Sequence, residues 1–404
     1  MSGLISNNIP WVITGVLHLE YDSRNFLTKV SYPSGRYLAF SYNQAGKRTR
    51  MVDQDGYELI YVYDQAGRLS DITDGEGRSM VSYGYDEQGR LKEKQLENGV
   101  YTTYAYDVDG RLTSLVNYRP NGEVLSSFDY VYDINGRRSS MTPLDGTYQY
   151  QYDANGQLIG VTYPDGRTAS YSYDSSGNRI SATEAGIQEA YTNNNMNQYT
   201  RAGDETFTYD EDGNLISRTK DGRTTVYRYG PENHLIGVTS DEGDWHYTYD
   251  TLGNRIASEH NGKTTHYLLD PGGLVNVVAE YDEFGNRLAG YVHGLGLAAR
   301  IDGEGNPAYY TFDGNGNTSK LVGPDLSVLN SYTYAPFGQV LATSESVDNP
   351  FGYVGQFGVM HEGNGLLFMR ARHYDAKLGR FMHRDPIRFE GGDVNRYRIG
   401  RQFY

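Results

Sequence analysis

Tyr63-Asp64-Gln65-Ala66-Gly67-Arg68-Leu69 is followed one unit later by Tyr85-Asp86-Glu87-Gln88-Gly89-Arg90-Leu91. The Tyr-Asp start returns at Tyr106-Asp107, Tyr132-Asp133, Tyr152-Asp153, Tyr173-Asp174, Tyr209-Asp210, Tyr249-Asp250 and Tyr281-Asp282. Weaker copies stand at Tyr21-Asp22, Tyr42-Asn43, Tyr229-Gly230 and Phe312-Asp313. The period is about 21 residues, and a unit of that size cannot bury its own face and must stack on its neighbours. Most of the 404 residues are therefore scaffold. Chemistry is expected where the repeat stops.

A single unit reads as two strands and two turns. Ser82-Tyr83-Gly84-Tyr85 alternates in the period of a strand. Asp86-Glu87-Gln88-Gly89 is a turn, because Asp bonds a backbone N–H two residues on and Gly supplies a positive φ. Residues 90–94 form the return strand, and Asn98-Gly99 is a hairpin signal. Asp55-Gly56, Asp145-Gly146, Asp165-Gly166, Asp221-Gly222 and Asn261-Gly262 repeat that second turn. The expected fold is all-β, a chain of antiparallel hairpins forming one long sheet that must twist and curl. Tyr ladders are expected along one face. Short helices are expected at most at Ile187–Ala190 and Asp393–Arg398. The Asn-rich stretch from Tyr191 to Tyr199 reads as a divergent repeat.

Composition fits a wall better than a ball. The apolar fraction is 38%, yet 39 Tyr and 49 Gly oppose disorder. Tyr suits a surface half packed and half wet, so a thin wall wetted on both faces is expected. There are no cysteines, which removes disulfides, zinc thiolates and a cysteine nucleophile. A net charge of −15 opposes nucleic-acid binding, which needs a basic face; it favours solubility, or an acidic lumen for a basic cargo. No stretch approaches the roughly 20 apolar residues of a membrane helix. Met1 to Leu17 lacks the basic and apolar regions of a secretory signal.

These repeats resemble the YD-repeat, or Rhs, family, from Leu19 to the C-terminus. That family includes bacterial polymorphic toxins, the C component of Tc toxin complexes, and animal teneurins. Residues 365–387 and 391–398, with Arg384-Asp385-Pro386 and Asn395-Arg396-Tyr397, are similar to an Rhs-associated core. The resemblance implies a hollow β-cocoon around a C-terminal toxin, built here from a YD shell over 1–349 and a core over 350–404. It implies a structural encapsulating role, secretion by a specialised bacterial export system, and as partner a toxin cargo or a second shell chain, with self-association of open sheet edges. It also implies an aspartyl-type autoprotease, with Asp385 activating water or polarising the scissile carbonyl and Arg384 positioning Asp385 or setting its charge. Asp393 is the nearest substitute for a second acid. The family's cleavage site and toxin have no match before Tyr404, so turnover is not the leading expectation.

Other clusters carry less. Asp53-Gln54-Asp55-Gly56 and Asp313-Gly314-Asn315-Gly316-Asn317 open like calcium loops but lack the twelfth-position Glu. Neither a metal nor a cofactor is expected. Arg370, Arg372 and Arg380 are expected to pair with acidic turns and lock the end of the sheet. Repeated Tyr also permits a carbohydrate-binding face.

Overall fold

A computed structural model describes residues 16–387, Glu390, Asp393 and 395–399. Thirty-two strands, from His18–Tyr21 to Val340–Glu345, form one antiparallel sheet. Each strand pairs with those before and after it in sequence. The sheet is not closed among the described residues. A separate sheet of four short strands spans Met360–His361, Leu366–Met369, Arg372–Asp375 and Arg380–Phe381.

The turn residues explain the repeat atom by atom. Asp86 Oδ1 accepts the N–H of Gln88 at 3.0 Å and of Arg90 at 2.8 Å. Its Oδ2 accepts Arg90 Nε at 2.7 Å. Gly89 stands at φ 80°, where a side chain is strained. The Arg90 guanidinium then lies 4.7 Å from the centre of the Tyr106 ring, the next repeat's tyrosine. Arg68 over Tyr85 and Arg111 over Tyr132 repeat the contact. The repeat Tyr also reaches back one unit. Tyr85 donates to the Leu69 carbonyl at 2.6 Å, Tyr106 to Leu91 at 2.8 Å and Tyr132 to Leu112 at 2.6 Å. Tyrosine is therefore both filler and rivet.

The same tyrosines bend the sheet. A register shift falls just before them, at Val62/Tyr63, Gly84/Tyr85 and Val131/Tyr132. Such bulges increase local right-handed twist, and a long twisted sheet curls. Contacts between distant strands give the winding sense. Tyr32 donates to the Leu269 carbonyl, Arg48 pairs with Asp270, Lys94 donates to the Tyr310 carbonyl and Arg138 to that of Gly314. Both members of each pair advance together along the chain. A sheet folded back on itself would make one rise while the other fell. The sheet is therefore a scroll whose second lap lies over its first, with about 20 strands to a lap. At about 4.8 Å per strand, a lap is about 95 Å around and about 30 Å across.

Strands in the middle of the second lap are buried on both faces, unlike the expected thin wall. Asn276–Tyr281 and Pro307–Phe312 are buried at every position but the first. On one side Tyr281 donates to Asp55 of the first lap at 2.9 Å. On the other, Tyr291 meets Phe351 edge to face at 4.9 Å, and Tyr310 donates to Asn349 at 2.8 Å. Sheets stack about 10 Å apart. A curl about 30 Å across is thus largely filled by one inner layer and the C-terminal segment. Tyr hydroxyls make this tolerable, because polar groups in a dry interior need partners.

Ile187–Asn193 is a strand, not the short helix expected at Ile187–Ala190. A single helical turn lies at Gly355–Phe357. In the tail expected to be helical, the described residues Asp393 and 395–398 form a turn and a bridge from Arg398 to Arg380 instead, and Val394 lies outside the described residues. The Asn-rich stretch is a divergent repeat: Asn194 replaces Asp, and its Oδ1 accepts the N–H of Met196 and Gln198.

Candidate functional site in the C-terminal segment

After Glu345 the chain leaves the long sheet and packs against the inner side of the scroll. The turns it meets have changed in sequence. In the first lap the residue after the turn glycine is Arg68, Arg90, Arg111 or Arg137; later it is Asn178, Asn214, Asn254 or Asn317. Arg fills the gap to the next Tyr by stacking. Asn is short, keeps the bond to its own turn Asp, and leaves room for the incoming segment. Asn178 bonds Asp174 at 2.9 Å and receives Asn395 Nδ2 at 2.8 Å. Tyr397 donates to the Gly213 carbonyl at 2.8 Å and receives Gln198 at 3.0 Å.

Charged clasps complete the docking. Arg255 pairs with Glu362, both side chains being at most 3% exposed. Arg218 pairs with Asp375, and Lys377 with Glu205. Arg370 and Arg380 do bind turns, as expected, but through oxygens that carry no charge. Arg370 donates to the Val275 carbonyl at 3.0 Å and to Asn276 at 3.1 Å, and Arg380 to the Asn197 carbonyl. Arg372 turns instead to Asp385, at 2.9 Å. Carbonyls and amides suffice because guanidinium carries five donors in a fixed fork.

Arg384, Asp385 and Pro386 border a cavity of about 530 Å3, together with His234, His383 and Arg396. Asp385 accepts the Ile387 N–H at 3.0 Å besides its ion pair to Arg372. Arg384 reaches Met196 Sδ at 3.9 Å. Burial pushes the His383 imidazole down to about 4, and its Nδ1 lies 3.1 Å from the Arg384 carbonyl oxygen. Asp393 has its own cation: Arg398 Nη2 is 2.6 Å away and the Asn395 N–H 2.9 Å. Asp385 and Asp393 are thus each bound to a separate Arg. The residues sequence reasoning passed over are Arg255 and Glu362, whose partnership spans more than 100 positions and leaves no local signal. Among the described residues, no three His, Cys, Asp or Glu converge as a metal site requires, and no helix is long and apolar enough to cross a membrane.

An unclosed scroll of antiparallel hairpins, occupied on its inner side by its own C-terminal segment, defines a class of all-β shell proteins. The family model described as Teneurin YD-shell matches residues 18–168 and 132–394. The chain belongs to this YD-repeat shell family. It is 30% identical over 327 residues to the tRNA3(Ser)-specific nuclease WapA of Bacillus spizizenii. It is 28% identical over 327 residues to the tRNA nuclease WapA of Bacillus subtilis. In each case 78% of this chain and 14% of the relative are covered. Among solved structures, TcdB2-TccC3 superposes with a TM-score of 0.79 at 17% identity, covering 96% of this chain and 24% of that one. The Photorhabdus luminescens Tc holotoxin pore gives 0.74 at 18%, covering 90% and 20%. These two likenesses show the fold. The chain spans under a quarter of the length of each of these relatives and structures.

Proposed function

We propose that this chain is the wall and closing plug of a secreted toxin shell, with wall 1–349, plug 350–404, and a C-terminal toxin as cargo. The observation that carries the reading is the plug itself: a segment clasped to the inner side of the scroll by Arg255–Glu362 and Arg218–Asp375. The cargo space would lie in a chamber formed with the rest of a longer shell. A 100-residue domain has a radius of gyration of about 13 Å, too large for the cavities of about 530 and 600 Å3 inside this chain. Export through a specialised bacterial system fits the family. The test is protease protection of the cargo in the full polypeptide that carries this segment. Protection that persists in wild type and is lost in Arg255→Met supports the reading. Equal cleavage of the cargo in both contradicts it.

A second reading is self-processing at Asp385. It is favoured by the cavity that Asp385 shares with Arg384 and His383. In that role Asp385 would activate water or polarise the reacting carbonyl, with Arg384 setting its charge. Asp385→Asn should then abolish a discrete cleavage product of the full polypeptide. An unchanged product would exclude that role.

A further inference from the structure

A second cavity, of about 600 Å3, opens between strands of the second lap, the last strand Val340–Glu345 and the C-terminal segment. Its floor is buried, with Trp245, Glu280 and Asn349. Its mouth is exposed, with His260, Glu345 and Asp348. Neither function proposed above uses it.

Five carboxylates border this space: Glu259, Glu280, Glu345, Asp348 and Glu362. Among the described residues, only Glu362 of these five has a cation within ion-pair distance, Arg255. Glu280 is 8% exposed. The Tyr291 hydroxyl beside it is also buried; it favours the charged form of Glu280 but makes no close hydrogen bond. Glu259 Oε2 is likewise buried and unpartnered. Burial, reinforced by Asp348, pushes the Glu280 carboxyl up to about 7, and Arg300, the Tyr291 hydroxyl and Arg255 offset this only in part. His361 in the same lining contributes no charge near neutral pH, because burial pushes its imidazole down to about 4. The lining is therefore one-sidedly acidic.

Unpaired carboxylate in a partly dry site is costly, and a bound cation offsets that cost. Tyr267 and Tyr332 add aromatic faces to the wall. The chain carries out this chemistry next door. The Arg255 guanidinium lies 3.8 Å from the Phe368 ring centre and 5.2 Å from that of Tyr267, while pairing with Glu362. The lining does not converge as a metal site, so the cation it suits is organic. A planar guanidinium can meet two carboxylates and stack on a ring, which an ammonium does less well.

We infer that this cavity binds the arginine side chain of a peptide segment, entering between Glu345 and Asp348 and reaching Glu280. The inference stands apart from the shell reading, since it concerns only the cavity's chemistry.

Titration calorimetry of the full chain with acetyl-Gly-Arg-Gly-amide, and with its citrulline counterpart, tests it. The arginine peptide should bind at least about 10-fold more tightly than the neutral near-isostere. Glu280→Gln should weaken the arginine peptide by about 10-fold without lowering the melting temperature, since it removes a buried unpaired charge. Should that variant misfold, Asp348→Asn at the exposed mouth should still cost about 3-fold and reduce the salt dependence. Equal binding of both peptides, no saturable heat with either, or full affinity in the variants would overturn the assignment.

Discussion

Breaking the Arg255–Glu362 clasp should loosen the plug before it unfolds the wall. Both side chains are at most 3% exposed, so solvent screening does little to weaken the pair. Arg255 also lies over Phe368 at 3.8 Å and Tyr247 at 5.3 Å. Arg255→Met keeps much of the volume but leaves Glu362 buried without a cation, a loss of about 3–5 kcal/mol. Glu362→Gln leaves the guanidinium unmatched and should cost a similar amount. The double variant removes both charges together, so its cost should fall short of the sum by about 2 kcal/mol or more. Repeat arrays need not unfold in one step, so hydrogen exchange resolved by peptide is the assay. Protection should fall first across residues 360–382 and the facing strands Gly243–Tyr249 and Arg255–His260. Additive single costs, or protection lost evenly along the scroll, would refute the view that this pair holds the plug.

Three further outcomes follow from the repeat chemistry. Tyr106→Phe removes the 2.8 Å bond to the Leu91 carbonyl and should cost about 1 kcal/mol, read as faster exchange in residues 91–106. Gly89→Ala at φ 80° should destabilise by about 1 kcal/mol or more. Gly84→Ala should be milder, because its new Cβ would meet Glu93 Cβ at an ordinary 3.7 Å; chemical denaturation compares the two. Burial lowers His293, His361 and His383 to about 4 in the folded chain, against about 6.5 when unfolded. The unfolded state then binds more protons between those values, so stability is full above pH 6.5 and falls as pH drops toward 4. Melting temperatures at pH 7.5 and 5 should show the drop, and a flat profile would contradict the burial of these imidazoles.

The sheet was legible because its information is local. Tyr-Asp-x-x-Gly specifies its own turn through Asp oxygens and a positive-φ glycine, and each hairpin needs only its neighbours. The divergent Asn194 turn was legible for the same reason. Ile187–Ala190 was misread as a possible helix because its side chains alternate weakly; pairing with Arg179–Glu184 decides it. The filled interior was not legible. Burial of both faces of strands such as Asn276–Tyr281 and Pro307–Phe312 depends on winding radius, which no single repeat encodes. One trace of it does stand in the sequence, the change from Gly-Arg to Gly-Asn turns where the plug docks. Of the proposed site residues, Arg384 and Asp385 come to one cavity, while Asp393 is bound to Arg398, a pairing within a loop that motif matching does not reveal.

Small-angle X-ray scattering of the purified chain tests the winding most directly. A filled particle of 404 residues should have a radius of gyration of about 22 Å, with pair distances peaked near its centre. An unrolled sheet of 32 strands would extend about 150 Å, with a radius of gyration above about 40 Å. The account predicts the first value; the second, or a scattering profile depleted at the centre, would contradict it.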